Sequence, residues 1–234
     1  MDFINNLKLN VNQKNYIFEI NDIIFKKFPP DLYEHTIGTL KWALKLAQNY
    51  LLNKNKSYLD DLNNIKDINV NYYSDDDKLS EFYYKLCICA LLHDYGKIFN
   101  LNELKEILLK FKSEIDATEE DLKIDCILHG FAGAFIVKKE FNINDEIILN
   151  VIKYHTTGYF NMNILDKIIY ISDKIEENRI YKEVYYLRQL SLKNINLCLL
   201  EVYKNNIIYI IKNNKKIYSN TCKIWNNICE LYGG

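Results

Sequence analysis

Proline and glycine are scarce in this 234-residue chain, which has two prolines and seven glycines. So few turn-formers exclude a loop-rich or collagen-like architecture and leave long regular elements as the default. Arginine is almost absent: Arg179 and Arg188 stand alone among many lysines. The formal net charge is −1, so there is no global basic field for nucleic acid or an anionic membrane surface. Long apolar runs are missing too. The stretch Leu86–Leu92 is among the longest and is far too short to span a bilayer. The start, MDFINNLKLN, lacks a basic segment followed by an apolar one. None of the six cysteines forms a C-x-x-C pair, and Cys87, Cys89 and Cys198 sit in apolar runs, as reduced core thiols do. These absences point to a cytoplasmic protein with neither membrane nor nucleic acid as a partner.

The residues that are present predict helices. Hydrophobic residues make up 49% of the chain and charged ones 26%, enough for a sizeable core under a charged surface. Apolar positions recur at helical spacing over about 13–28, 32–52, 79–95, 102–112, 129–140, 145–156, 162–176, 181–191, 194–212 and 219–231, with a short helix near 119–127. Pro29–Pro30 separates the first two, Asp31 can cap the second, and Gly96 reads as the stop of the helix before it. Residues 53–78 are polar, rich in Asn and Asp and weakly periodic, and read as an inserted surface loop. The expectation is an all-α bundle forming one domain over 1–234. Its core covers about 31–180, residues 181–234 add C-terminal helices, and the apolar helix 194–212 is free to meet either the core or a second copy in a homodimer.

The chemistry concentrates on the histidines, of which there are four: His35, His93, His129 and His155. Each falls on the apolar face of a different predicted helix. His93 is followed directly by Asp94, and Asp173 continues the apolar stripe of Leu165 and Ile169. One histidine on an apolar face is ordinarily a hydrogen-bonded core residue. All of them together, with two aspartates, form a pattern that coincidence explains poorly, because burying such groups unpaired costs several kcal/mol, on the order of 2–7 each. Four imidazoles and two carboxylates suit a pair of divalent ions such as Fe, Mn, Co or Zn. With no cysteine in the set, a catalytic site fits better than a structural zinc site. The reading assigns His35, His93, Asp94 and Asp173 to one ion and Asp94, His129 and His155 to the other, with Asp94 as the bridge.

The motifs YEHTIG (33–38), ALLHDYGK (90–97), HGFAGA (129–134), IKYHTTG (152–158) and LDKIIYISDKIEENR (165–179) resemble, in this order, the HD-domain metal-dependent phosphohydrolases. They are most similar to the YqeK family of symmetrical diadenosine tetraphosphate hydrolases. The resemblance implies the same six ligands, a di-iron or similar centre, and cleavage of a dinucleoside tetraphosphate to two ADP. The chain departs from the family pattern in its long insert, in Leu32 where a basic residue is frequent, and in Glu177–Asn178 where a proline is usual. A water shared by two divalent ions would be acidified, toward a pKa of roughly 7 as in single-zinc sites, and would attack phosphorus in line. Asp94, Lys97 and Arg179 are the expected catalytic residues. Lys97, Gly130, Gly133, Thr156, Thr157 and Arg179 are the expected substrate contacts, through charge, hydroxyl donors and backbone room. Two alternatives share the fold: another HD-type nucleotidase or pyrophosphatase, and a non-catalytic nucleotide-sensing module.

Overall fold

The computed structural model describes residues 1–53 and 75–233, and among them there is no strand. The helices are α1 (Val11–Lys27), α2 (Pro30–Asn53), α3 (Asp75–Leu92), α4 (Leu101–Lys110), α5 (Lys112–Ile115), α6 (Leu128–Glu140), α7 (Glu146–Tyr154), α8 (Ile164–Ile175), α9 (Val184–Lys193), α10 (Ile195–Lys212) and α11 (Thr221–Tyr232). The all-α expectation holds. Residues 54–74 of the expected insert lie outside the described residues, while Asn53 belongs to α2 and 75–78 open α3. The expected short helix near 119–127 is instead two single 3₁₀ turns, Asp121–Lys123 and Asp125–Ile127.

Capping explains several of the boundaries. Asn10, Asn100 and Asn163 each accept the backbone N–H three residues on and receive a side chain in return from Gln13, Glu103 and Asp166, so α1, α4 and α8 start on complete capping boxes. Asp145 caps α7 in the simpler way. Pro30 is the first residue of α2, where its missing N–H costs nothing. Asp31 thus sits in the first turn, where its charge meets the helix dipole, and not at the cap.

The organising element is the second half of α3. Every residue from Lys85 to Gly96 is buried, so this segment has no solvent face. It packs against α1, α2, α7 and α8. The helix ends at Leu92, and the chain turns through His93 and Asp94 into a 3₁₀ turn, Tyr95–Ile98, that lies against α6. Tyr95 anchors the turn: its hydroxyl donates to Glu140 of α6 at 2.6 Å and meets Lys27 of α1. The helices α2, α6, α7 and α8 therefore bring their ends to the C-terminal end of α3. The C-terminal helices close the far side, with α10 lying on α8, α9 and α11. Ile208, Tyr209 and Ile211 of α10 remain exposed. Cys87, Cys89 and Cys198 are buried free thiols, whereas Cys126 and Cys222 are exposed. No helix among the described residues is long and apolar enough to cross a membrane.

Asp166 carries a cost within this frame. It is buried and accepts from Tyr159 Oη at 2.6 Å and from the Asn163 N–H at 2.8 Å, but its Oδ1 has no partner. Burial pushes its carboxyl up to about 6, against these hydrogen bonds. A raised carboxyl binds its proton more tightly folded than unfolded, so its contribution to stability is present at acid pH and is lost as pH rises from about 4 to about 6. Asp166→Asn keeps the acceptor and removes the charge. Its stability relative to the native chain is expected to climb by an amount on the order of 2–3 kcal/mol through that window and level off near neutrality, read as a widening difference in melting temperature. Thermal melts of both proteins from pH 4 to 7 check this, and a difference independent of pH refutes it.

Candidate metal centre

The four histidines and two aspartates come from five separate parts of the chain and meet at one place. His35 comes from the first half of α2, His93 and Asp94 from the turn after α3, and His129 from the start of α6. His155 comes from the C-terminal cap of α7, and Asp173 from the last turn of α8. Each enters from a helix end or an inward helix face, so the backbone need not be distorted to aim it.

Asp94 is the hub. Its Oδ2 lies 3.4 Å from His35 Nε2 and 3.3 Å from His93 Nε2. Its Oδ1 lies 3.3 Å from His129 Nε2 and 3.2 Å from His155 Nε2. Each carboxylate oxygen therefore faces one histidine pair. Asp173 joins the first pair, with Oδ1 3.1 Å from His35 Nε2. The donor atoms of His35, His93 and Asp94 lie within 4.8 Å of one another, as do those of Asp94, His129 and His155.

Tautomers follow from the other ring nitrogens. His93 Nδ1 lies 2.8 Å from the carbonyl of Ala90 and His155 Nδ1 2.7 Å from that of Ile152. A carbonyl only accepts, so both Nδ1 atoms donate, and both Nε2 lone pairs point at the centre. Burial drives His155 down to about 4, against the pull of Asp94, which keeps it neutral and able to ligate at pH 7.

The donor set fits two cations. His129 Nε2 and His155 Nε2 are 3.1 Å apart, and His35 Nε2 and His93 Nε2 are 3.4 Å apart. Two ligands held about 2.1 Å from one ion stand about 3.0 Å apart at a right angle and about 3.4 Å apart at a tetrahedral angle. Asp94 Oδ1 is buried and accepts no hydrogen bond, an orphan that an ion would satisfy. Asp94 and Asp173 are both held well below the usual carboxylate range. Burial opposes this, but the surrounding imidazoles, His93 first among them, outweigh it at Asp94, and Lys174, His35 and Arg179 do so at Asp173. Burial likewise lowers His35, yet Asp173, Asp94 and Glu176 prevail and raise it to about 10, so a proton there plays the part of a cation.

The expected substrate contacts divide. Lys97 Nζ donates to Asp94 Oδ2 at 2.6 Å. Arg179 donates through an Nη to Asp173 Oδ1 at 2.8 Å and through Nε to the Asp173 carbonyl at 2.9 Å. Both heads are partly exposed, so they border the centre from the solvent side. Thr156 also borders it, with Oγ1 3.0 Å from His155 Nε2 and 3.3 Å from His129 Nε2. Thr157 does not. It is buried and its hydroxyl donates to the Gly158 carbonyl. Gly130 and Gly133 leave room, but for protein: a Cβ on Gly130 would stand 2.7 Å from the Lys153 carbonyl oxygen, and one on Gly133 would stand 3.2 Å from the Gly96 nitrogen. Those two glycines let α6 approach α7 and the 3₁₀ turn. Gly96 is no helix stop, since α3 has already ended; a Cβ there would lie 2.1 Å from the His129 carbonyl oxygen.

Three residues escaped the sequence reading. Lys174 pairs with Asp173 Oδ2 beside Arg179. Glu176 places Oε1 3.1 Å from His35 Nδ1. Arg188 donates to the carbonyls of Ile175, Glu176, Glu177 and Arg179 and so braces the turn after α8. The arginine count hinted at Arg188, while Glu176 carried no signal apart from its place in the motif.

The comparisons with known proteins agree on one family. A family model described as HD domain matches residues 32–178. The symmetrical bis(5'-nucleosyl)-tetraphosphatase of Halalkalibacterium halodurans is 30% identical over 81% of this chain and 84% of its own length. The protein of the same name from Bacillus subtilis is 29% identical over the same shares. A crystal structure from Clostridium acetobutylicum, described as an HD superfamily hydrolase involved in NAD metabolism, superposes with a TM-score of 0.72 at 29% identity, covering 91% of this chain and 96% of that one.

The tightest contact in the site is also its most easily tested. Gly96→Ala forces a methyl group against the His129 backbone, and overpacking of this kind costs about 1–3 kcal/mol or more. The expected result is a lowered melting temperature and loss of bound metal on the His129 side, read by calorimetry and elemental analysis. A variant with native stability and metal content refutes the close approach.

Proposed function

The chain belongs to the HD-domain family, in the branch that holds the curated symmetrical tetraphosphatases, and from that premise we propose that this metal hydrolase cleaves diadenosine tetraphosphate symmetrically to two ADP. One ion is held by His35, His93, Asp94 and Asp173, and the other by Asp94, His129 and His155. The observation that carries the reading is Asp94, a single buried carboxylate that offers one oxygen to each histidine pair. Iron is the proposed metal, and Mn, Co or Zn suit the same donors. The bound ions supply Lewis-acid polarisation of phosphoryl oxygens and a water acidified toward neutrality.

The chain's own residues supply position and charge. Lys97, Lys174 and Arg179 pair with Asp94 and Asp173 in the structure, and their heads reach solvent. With Asp94 and Asp173 engaged as ligands, these three cations would face the opening, where they would neutralise a polyphosphate with one negative charge per phosphate. Thr156 is placed to orient an oxygen on the His129–His155 side. Phosphoryl transfer asks for little beyond positioning and charge neutralisation. The bond broken is the central P–O–P bridge: water adds to one phosphorus and the bridging oxygen leaves with the other ADP.

A second reading is a nucleotide pyrophosphatase that takes a shorter dinucleotide such as NAD; the Clostridium structure, described as an HD superfamily hydrolase involved in NAD metabolism, supports it. Anion-exchange separation of products decides between them. With anaerobic Fe²⁺ or Mn²⁺, ADP is the expected sole product from diadenosine tetraphosphate. ATP with AMP refutes symmetrical cleavage, and turnover of NAD alone favours the second reading. Lys97→Ala and Arg179→Ala are expected to keep their metal and lose about 10²–10³ in rate, as removal of one positioned donor does. Asp94→Ala loses metal and activity together.

A further inference from the structure

The histidines of the centre are not held alike. His93 and His155 donate Nδ1–H to backbone carbonyls of their own helices. His35 is held instead by a side chain from another element, the Glu176 carboxylate at the end of α8, which is 1% exposed. That carboxylate is itself fixed. Its Oε2 accepts the Asn178 N–H at 2.7 Å. The same oxygen lies against Gly38, one turn along α2 from His35, where a Cβ would stand 2.5 Å away. Arg188 braces the turn from below through four backbone carbonyls.

A carboxylate behind an imidazole makes the opposite nitrogen a stronger donor than a carbonyl does, and fixes the ring's orientation. The two sides also differ in charge. The His35–His93 side has Asp94 Oδ2, Asp173 Oδ1 at 3.1 Å from His35 Nε2, and Glu176 behind the ring. The His129–His155 side has Asp94 Oδ1 and the Thr156 hydroxyl. Lys97, Lys174 and Arg179 offset part of the first side's charge, but their heads are partly exposed on flexible stems, whereas the three carboxylates are buried and stay in place.

Resting on the metal-centre reading above, we propose that Glu176 is a positioning residue for His35, and that through it the His35–His93 side keeps its divalent ion under conditions that strip the His129–His155 side. The test uses the intact chain loaded with Co²⁺ and dialysed against graded chelator, with metal per chain measured by elemental analysis and ligation followed by Co²⁺ absorption. Native protein is expected to fall from two ions to a plateau at one, then to none. His129→Ala is expected to start on the plateau and hold it. Glu176→Ala is expected to lose the plateau ion at about 10–100-fold lower chelator, and Glu176→Gln, which keeps the shape, to recover part of the loss. Should Glu176→Ala fold poorly, Gly38→Ala displaces the carboxylate from its far side and is expected to weaken the same step. Loss of both native ions in one step, or a Glu176→Ala plateau equal to the native one, overturns the inference and leaves the metal centre standing. Native protein that takes up no Co²⁺ overturns the metal centre itself, and this inference with it.

Discussion

One buried carboxylate sets the terms for this structure. Asp94 sits at the end of a helix with no solvent face, and an ionised carboxylate in such a place is tolerated only when opposite charge surrounds it. Four imidazoles from four parts of the chain surround it, two at each oxygen, while the opposite charge comes from protonated His35 and from Lys97. The fold can be understood as the means of delivering them. Helices α2, α6 and α7 each end or turn where a histidine must arrive, and α8 adds a second carboxylate and the turn that braces it. The same arrangement splits the imidazoles: the carboxylates Asp173, Asp94 and Glu176 drive His35 up to about 10 against its burial, while burial drives His155 down to about 4.

Small residues and backbone carbonyls carry much of the precision. A methyl group would collide with backbone at Gly96 and Gly130 and with the Glu176 carboxylate at Gly38, and it would press on the backbone of Gly96 at Gly133. These glycines lie in or beside the metal motifs because close approach of helix ends, and not contact with substrate, is what aims the histidines. The chain has only seven glycines in all, and four are used this way. Positioning of this kind is inexpensive for the chain: two histidines are oriented by carbonyls three residues back on their own helices, with no further side chain required.

Around this core the polar residues divide by reach. Lys97, Lys174 and Arg179 extend from the rim onto buried carboxylates and retain contact with solvent. Arg188, on α9, instead engages its Nε and one Nη with carbonyls of the turn after α8. Thr156 and Thr157 show the same division at adjacent positions, one hydroxyl at the metal centre and the other on the Gly158 carbonyl.

The helices were legible from the sequence because apolar spacing and Asn or Asp caps are local properties, and the structure departs from that reading mainly at 119–127, where two 3₁₀ turns replace a helix. The ligand candidates were legible because histidine is rare in this chain and each one interrupts an apolar face. The sequence by itself therefore determined that a set of buried imidazoles and carboxylates had to meet. Which oxygen of Asp94 faces which pair, that Glu176 stands behind His35, and that the glycines of HGFAGA face protein were decided by the tertiary structure alone. Those outcomes depend on approaches of 2.7–3.4 Å between residues up to 141 apart in the chain, and no periodicity along the sequence records them.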